Sequence, residues 1–279
     1  MTPPDPARLS LNAITIKKAT LAQAIEGCAR QGIRGITVWR DRLQEMGVPA
    51  AVTALKANGM SVTGLCRGGM FPAIDAAGRQ AAIDENLQAI DEAQAIGATC
   101  LILVVGGLPP GSKDIAGAHQ QVSDGIAAIL PHARAAKVPL AIEPLHPMQA
   151  ADRACINTLG HALDVCDALD PKRTGILGVA VDVYHVWWDP QLEAQIARAG
   201  RDRLLAYHLC DWLVPTTDLA FDRGMMGDGV IDLRRIRALM EGAGYAGFAE
   251  VEIFSERDWW QRDPDDVLRI MKERYAACC

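Results

Sequence analysis

Eight times along this chain a short apolar run rich in Val, Ile and Leu gives way to a longer stretch of helical periodicity. That alternation points to parallel strands joined by crossover helices. The runs fall at residues 9–15, 35–39, 61–66, 99–105, 139–143, 178–182, 204–209 and 248–253, and none has an internal proline. The helical stretches fall at 21–31, 49–57, 79–96, 115–136, 158–168, 190–199, 233–242 and 265–276. Gly32, Gly59, Gly97 and Gly244 stand just past helix ends, where a left-handed residue turns the chain into the next strand. Eight such units in 279 residues predict one α/β domain, a (β/α)8 TIM barrel spanning 1–279.

Charge narrows the partners. A net charge of −6 and a pI near 5.5 argue against a surface built to neutralise phosphate backbones, so nucleic acid is not the expected partner. The longest apolar run, 100–105, is too short to cross a bilayer, and the first residues have neither a basic nor an apolar leader pattern. The expectation is a cytoplasmic protein with no membrane partner. Eight cysteines without CxxC spacing read as reduced and structural, with Cys278 and Cys279 in a solvated tail.

In such a barrel, chemistry sits at the C-terminal ends of the strands. Those ends read Trp39, then Cys66-Arg67, Glu143, Asp182, His208 and Glu252, so four consecutive strands each offer a metal-ligand side chain. Three carboxylates brought to one mouth repel one another unless a cation keeps them ionised. Ligands that are mostly oxygen, with one imidazole, suit one divalent ion, Mn2+ first, with Mg2+, Co2+ or Zn2+ as alternatives. Each residue alone reads more readily as a surface charge or a satisfied core histidine than as a ligand; the set of four is what argues for a metal. Alternation puts Glu250 on the same strand face as Glu252, so the residues alone leave both open as the last ligand.

The runs Leu140-Ala-Ile-Glu-Pro-Leu145, Val181-Asp-Val-Tyr-His185, Tyr207-His-Leu-Cys-Asp211 and Gly244-Tyr-Ala-Gly-Phe-Ala-Glu-Val-Glu252 carry a resemblance over nearly the whole chain. The sequence resembles the xylose isomerase-like barrels, which include sugar-phosphate isomerases and epimerases, ketose 3-epimerases, hydroxypyruvate isomerase, inosose dehydratase and endonuclease IV. The resemblance implies that Glu143, Asp182, His208 and Glu252 bind the metal, and its register selects Glu252 over Glu250. It also implies that Glu143 and Glu252 face opposite sides of a small carbohydrate substrate and move the proton next to a metal-bound carbonyl. The implied activity is a divalent-metal-dependent isomerase or epimerase of a small sugar, ketose or polyol-derived carbonyl compound. Barrels of this kind commonly pair, so a homo-oligomer, dimer or tetramer, is expected.

Other residues have two readings. His185, three beyond Asp182, reads as a proton shuttle or hydroxyl contact, or as a histidine supporting the ligands. Arg67 and Arg223 read as substrate-orienting groups or as partners of the acidic mouth, and His146 as a further substrate contact. Trp39, Trp187, Trp188 and Trp212 follow strands and pack either on sugar C–H faces or within loops. Trp259 and Trp260 are expected to close an interface or the mouth, and Asp211 to orient loops or the imidazole. Residues 212–231 form the longest irregular stretch, in which 224–229 reads as a flexible lid rather than a phosphate loop.

The main rival is a lyase or dehydratase acting on a keto-sugar, keto-glycoside or inosose, because the same ligands would serve elimination. The loop after Glu143 departs from the Asn-Arg pattern of ketose 3-epimerases, which widens the substrate range. A nuclease is disfavoured, since no histidine precedes His119 to build a three-metal site. A non-enzymatic barrel is the weakest reading, because it has no use for the full ligand set.

Overall fold

The computed structural model describes residues 3–279 and closes all eight runs into one parallel barrel. Its strands are β1 (Leu9–Asn12), β2 (Gly35–Trp39), β3 (Ser61–Gly69), β4 (Leu101–Val104), β5 (Leu140–Ile142), β6 (Leu177–Asp182), β7 (Leu204–Leu209) and β8 (Ala249–Val251). Each pairs with its sequence neighbours, and β1 closes the ring on β8 through Leu9↔Ala249 to Leu11↔Val251.

The two largest departures from the expected strand ends, at β1 and β3, both shape the mouth. β1 stops at Asn12 because the Asn12 side chain accepts from the Ile14 N–H at 3.1 Å and turns residues 13–16 into a 3-10 helix. β3 continues past Cys66 to Gly69, with a register shift against β4 between Leu65 and Gly68. Arg67 therefore lies within the strand, not after it. Such a bulge breaks the in-out alternation of a strand, and Cys66 and Arg67 both reach the same cavity.

The helices are α1 (Leu21–Gln31), α2 (Arg40–Met46), α3 (Val48–Ala57), α4 (Ala76–Ile96), α5 (Ile115–Ala136), α6 (Leu159–Leu169), α7 (Val183–Val186), α8 (Leu192–Arg203), α9 (Leu233–Gly242) and α10 (Pro264–Cys278). α1 shows how local chemistry sets a boundary: Thr20 and Gln23 form a reciprocal capping box, and Gly32 ends the helix at φ 69°. The sequence pattern does not predict α2 or α7. The single turn of α7 forms because the Asp182 carboxylate accepts from the Tyr184 N–H at 2.8 Å.

Small side chains, Cys66, Cys100, Ala141, Ala180 and Ala206 with Ile102, fill the barrel interior, while the larger apolar cluster lies between strands and helices. All eight cysteines are free thiols. The expected solvated tail is corrected: α10 runs to Cys278, and Cys279 is buried because the helix packs its last turn against the core. The expected flexible lid is corrected too. Met225 and Met226 are fully buried, and Asp211–Trp212 pairs with Arg223–Gly224 in a short antiparallel ribbon. Among the described residues no helix is long and apolar enough to cross a membrane.

Candidate active site

Glu143 directly follows β5, Asp182 ends β6, His208 lies in β7 and Glu252 directly follows β8. Adjacent strands bring them together: one ligand atom from each lies within 4.8 Å of the others, and all four are buried. His208 Nδ1 is 2.9 Å from Glu143 Oε1 and 3.8 Å from Glu252 Oε2. Neither ring nitrogen of His208 nor Glu143 Oε1 has an aligned hydrogen-bond partner among the described residues. Buried polar atoms are rarely left so, and a divalent ion accepting lone pairs from carboxylates and an imidazole would satisfy them.

The electrostatics point the same way. Burial and then the Glu143 charge push the Glu252 carboxyl well above the usual range, with Arg223 and His208 only partly opposing. Burial disfavours a charged His208, yet Glu250, Glu143 and Glu252 together hold its pKa well above the ordinary value. Asp182 goes the other way: burial raises it, but Arg223, His185, His208 and the Tyr184 N–H bring it down to about 2.

Arg223 reaches this cluster from the ribbon after β7. Its Nη1 donates to Asp182 Oδ2 at 2.8 Å and to Glu252 Oε2 at 3.1 Å, while the guanidinium lies over Tyr184 (4.4 Å) and near Phe254 (4.9 Å). Its Nη2 is 3.0 Å from His185 Nε2. The His185 Nδ1 accepts from the His146 N–H at 3.1 Å. Burial first, then Arg223, lower the His185 pKa to about 3 against the pull of Asp182, so the ring is a neutral imidazole.

Glu250 stands one step deeper in the barrel, outside the four-ligand group. Thr63 Oγ1 donates to its Oε2 at 3.2 Å, Thr37 donates to the same oxygen, and His208 Nε2 lies 3.5 Å from its Oε1. Asn12 Nδ2 joins the two acids, donating to Glu250 Oε1 at 2.7 Å and Glu252 Oε1 at 2.9 Å, while Asn12 Oδ1 accepts from Trp39 Nε1 at 2.7 Å. Sequence reasoning missed Asn12. The available signal was a lone carboxamide in the apolar run of β1, at the strand's mouth end.

A cavity of about 390 Å3 opens above the ligands, with Glu143, Glu252, His185, Arg223, Trp39 and Arg67 in its wall. That volume suits a small metabolite. His146, Trp187, Trp188 and Trp212 stand outside the wall. The His146 ring packs on Trp212 (5.1 Å) and Trp188 (5.7 Å), and Trp212 packs on Tyr184 (4.6 Å) and Trp187 (5.7 Å). His146 also touches the site through its backbone N–H, which donates to His185 Nδ1. Trp260 is buried, donating to the Ile14 and Ile253 carbonyls at 2.8 and 3.1 Å. Asp211 faces away from the cluster and orders its loop, accepting from the N–H groups of Gly227 (2.9 Å), Gly229 (2.8 Å) and Ile231 (3.0 Å).

A family model described as a xylose isomerase-like TIM barrel matches residues 25–274. The chain belongs to this family. Among solved structures, this xylose isomerase-like barrel is similar to protein SMc04130 from Sinorhizobium meliloti 1021, with 57% identity, 99% of each chain covered and a TM-score of 0.96. Its fold is shared by the IOLI protein with a bound zinc atom (16% identity, 97% of each chain, TM-score 0.83). It is shared as well by the 3-keto-D-glucoside 4-epimerase YcjR from E. coli (17% identity, 97% of this chain and 99% of that one, TM-score 0.77). No functionally curated protein matches this xylose isomerase-like barrel by sequence.

Proposed function

We propose that the protein is a divalent-metal-dependent isomerase or epimerase acting on a small sugar, ketose or polyol-derived carbonyl compound. The observation that carries the reading is the group of four convergent, buried ligand atoms within 4.8 Å of one another, beneath a cavity of metabolite size. Glu143, Asp182, His208 and Glu252 would hold one ion. When bound, the ion supplies Lewis-acid polarisation of a carbonyl and its neighbouring hydroxyl. Mn2+ is the proposed ion because three of the four ligands are carboxylates; the zinc in the structurally similar IOLI protein supports a transition-type ion in this fold.

The chain's own groups perform the proton transfer. Glu143 and Glu252 line the cavity, so one carboxylate removes the proton on the carbon next to the carbonyl and the other returns it at a new face or position. Asn12 and Arg223 both donate to Glu252 and hold the direction of its carboxylate. Neutral His185 and Arg223, both in the cavity wall, are placed to contact substrate oxygens. The epimerase named among the fold's neighbours agrees with this chemistry.

The test is elemental analysis of purified protein, then incubation of the metal-loaded form with ketoses, inososes and keto-glycosides in D2O. Deuterium in a rearranged product is expected. A dehydrated or cleaved product would make the enzyme a lyase, and failure to retain stoichiometric divalent metal would sink the reading.

A further inference from the structure

Two arginines in the cavity wall have no counter-ion among the described residues. Arg67 and Arg153 both line the cavity and remain accessible from it. Among the described residues no carboxylate lies within ion-pair distance of either, whereas Arg223 is paired with Asp182 and Glu252, and Arg40 with Glu85 and Glu92. The Arg153 guanidinium lies 5.7 Å from the centre of the Phe221 ring. Desolvation, then the like charge of Arg153, hold Arg67 below the ordinary arginine value, and Glu143 only partly compensates.

Both side chains spring from backbone that is tied down. Arg67 lies in the bulged end of β3. The Arg153 carbonyl accepts from the Gly106 N–H at 2.9 Å, and the Cys155 N–H donates back to Gly106 at 2.9 Å. An uncompensated pair of guanidinium groups in the wall of a protein of net charge −6 is a local reversal of sign, not a reflection of overall charge.

The geometry points to a substrate that carries a carboxylate in addition to the oxygens it offers the metal, with Arg67 and Arg153 holding that carboxylate. Planar guanidinium forks match carboxylate oxygens in pairs. A phosphate ester is the poorer match here. TIM barrels seat phosphate on backbone N–H groups of the loops after the last strands, and after β7 those of Gly227, Gly229 and Ile231 are already occupied by Asp211. The inference rests on the proposed carbonyl chemistry for the substrate's other end, but the anion site itself is independent of the metal.

The test compares D-fructose with its C6 carboxylate, D-fructuronate, and its C6 phosphate ester, by calorimetric binding to EDTA-treated and Mn2+-loaded protein. D-Fructuronate is expected to bind at least tenfold more tightly than D-fructose in both forms. Arg67→Gln and Arg153→Gln are each expected to reduce that preference about tenfold while leaving the Mn2+ content of the protein unchanged. Equal binding of D-fructose and D-fructuronate, a preference that survives both substitutions, tighter binding of the phosphate ester, or no binding of any of the three would overturn the inference. Stoichiometric Mn2+ with no carboxylate preference would overturn this inference alone, whereas a carboxylate preference without metal retention would sink the metal reading and leave this one standing.

Discussion

Arg223 Nη1 lies 2.8 Å from Asp182 Oδ2, so a protein cation reaches directly into the group of proposed metal ligands. The same nitrogen donates to Glu252 at 3.1 Å. A guanidinium in this position both orients the two carboxylates and repels an incoming metal ion.

Replacing it separates the two effects. Arg223→Gln is expected to bind Mn2+ more tightly, by at least tenfold, because a unit charge about 4 Å from a divalent ion costs roughly 2 kcal/mol even at the dielectric of water. Turnover should fall at least a hundredfold, since Glu252 and the substrate oxygens lose their donor. Calorimetric titration of Mn2+ and product formation assays measure the two; weaker metal binding in the variant would contradict the competition.

The metal-free protein should lose stability as pH rises. Glu252 is raised in the folded state, so its protonated form is favoured there, and that contribution is complete below the ordinary carboxylate pKa and lost as pH climbs through the raised value. His208 is also raised, so its contribution is present below the ordinary histidine pKa and disappears at higher pH. Both signs agree. His185, lowered to about 3, acts in the opposite sense below the ordinary histidine pKa and is level above it, so thermal scans from about pH 7 to 9 should show a falling Tm for EDTA-treated protein and a nearly level one with Mn2+, and Mn2+ binding should release protons into the buffer. A Tm of metal-free protein that rises across this window would refute the account.

His185 should remain neutral throughout the working range, since its pKa is lowered to about 3. Its ring nitrogens are expected to keep the NMR shifts of a neutral imidazole from pH 8 down to about 5. An imidazolium signature appearing near pH 6 would show that Arg223 and burial do not set its charge.

Asn12→Ala removes the shared donor from Glu250 and Glu252 and the acceptor of the Trp39 N–H. Leaving these buried groups unpaired should cost about 1–3 kcal/mol of stability and lower kcat by about ten- to a hundredfold as Glu252 loses its orientation. Denaturant unfolding and steady-state kinetics test this, and a variant with unaltered kcat would show that Glu252 does not depend on Asn12.

The chain's own order of residues determined the barrel and the candidates at its mouth. Short apolar runs spaced by helical stretches admit little else, and strand order then carries Glu143, Asp182, His208 and Glu252 to one rim. What lies beside them was decided by contacts between residues far apart in sequence. Asn12 meets Glu250 across 238 positions, and Arg223 meets Asp182 across 41. No local pattern encodes such pairs, because they exist only once the ring has closed β1 onto β8. Tertiary packing likewise seats the ring of His146 among Trp188 and Trp212. The glycine-rich segment 224–229 reads as mobile from composition alone, yet burial of Met225 and Met226 and the acceptor oxygens of Asp211 hold it in place. Strand and helix periodicity come from forces between near neighbours and are visible in one dimension; burial and charge pairing depend on which surfaces meet, and only the folded chain determines that.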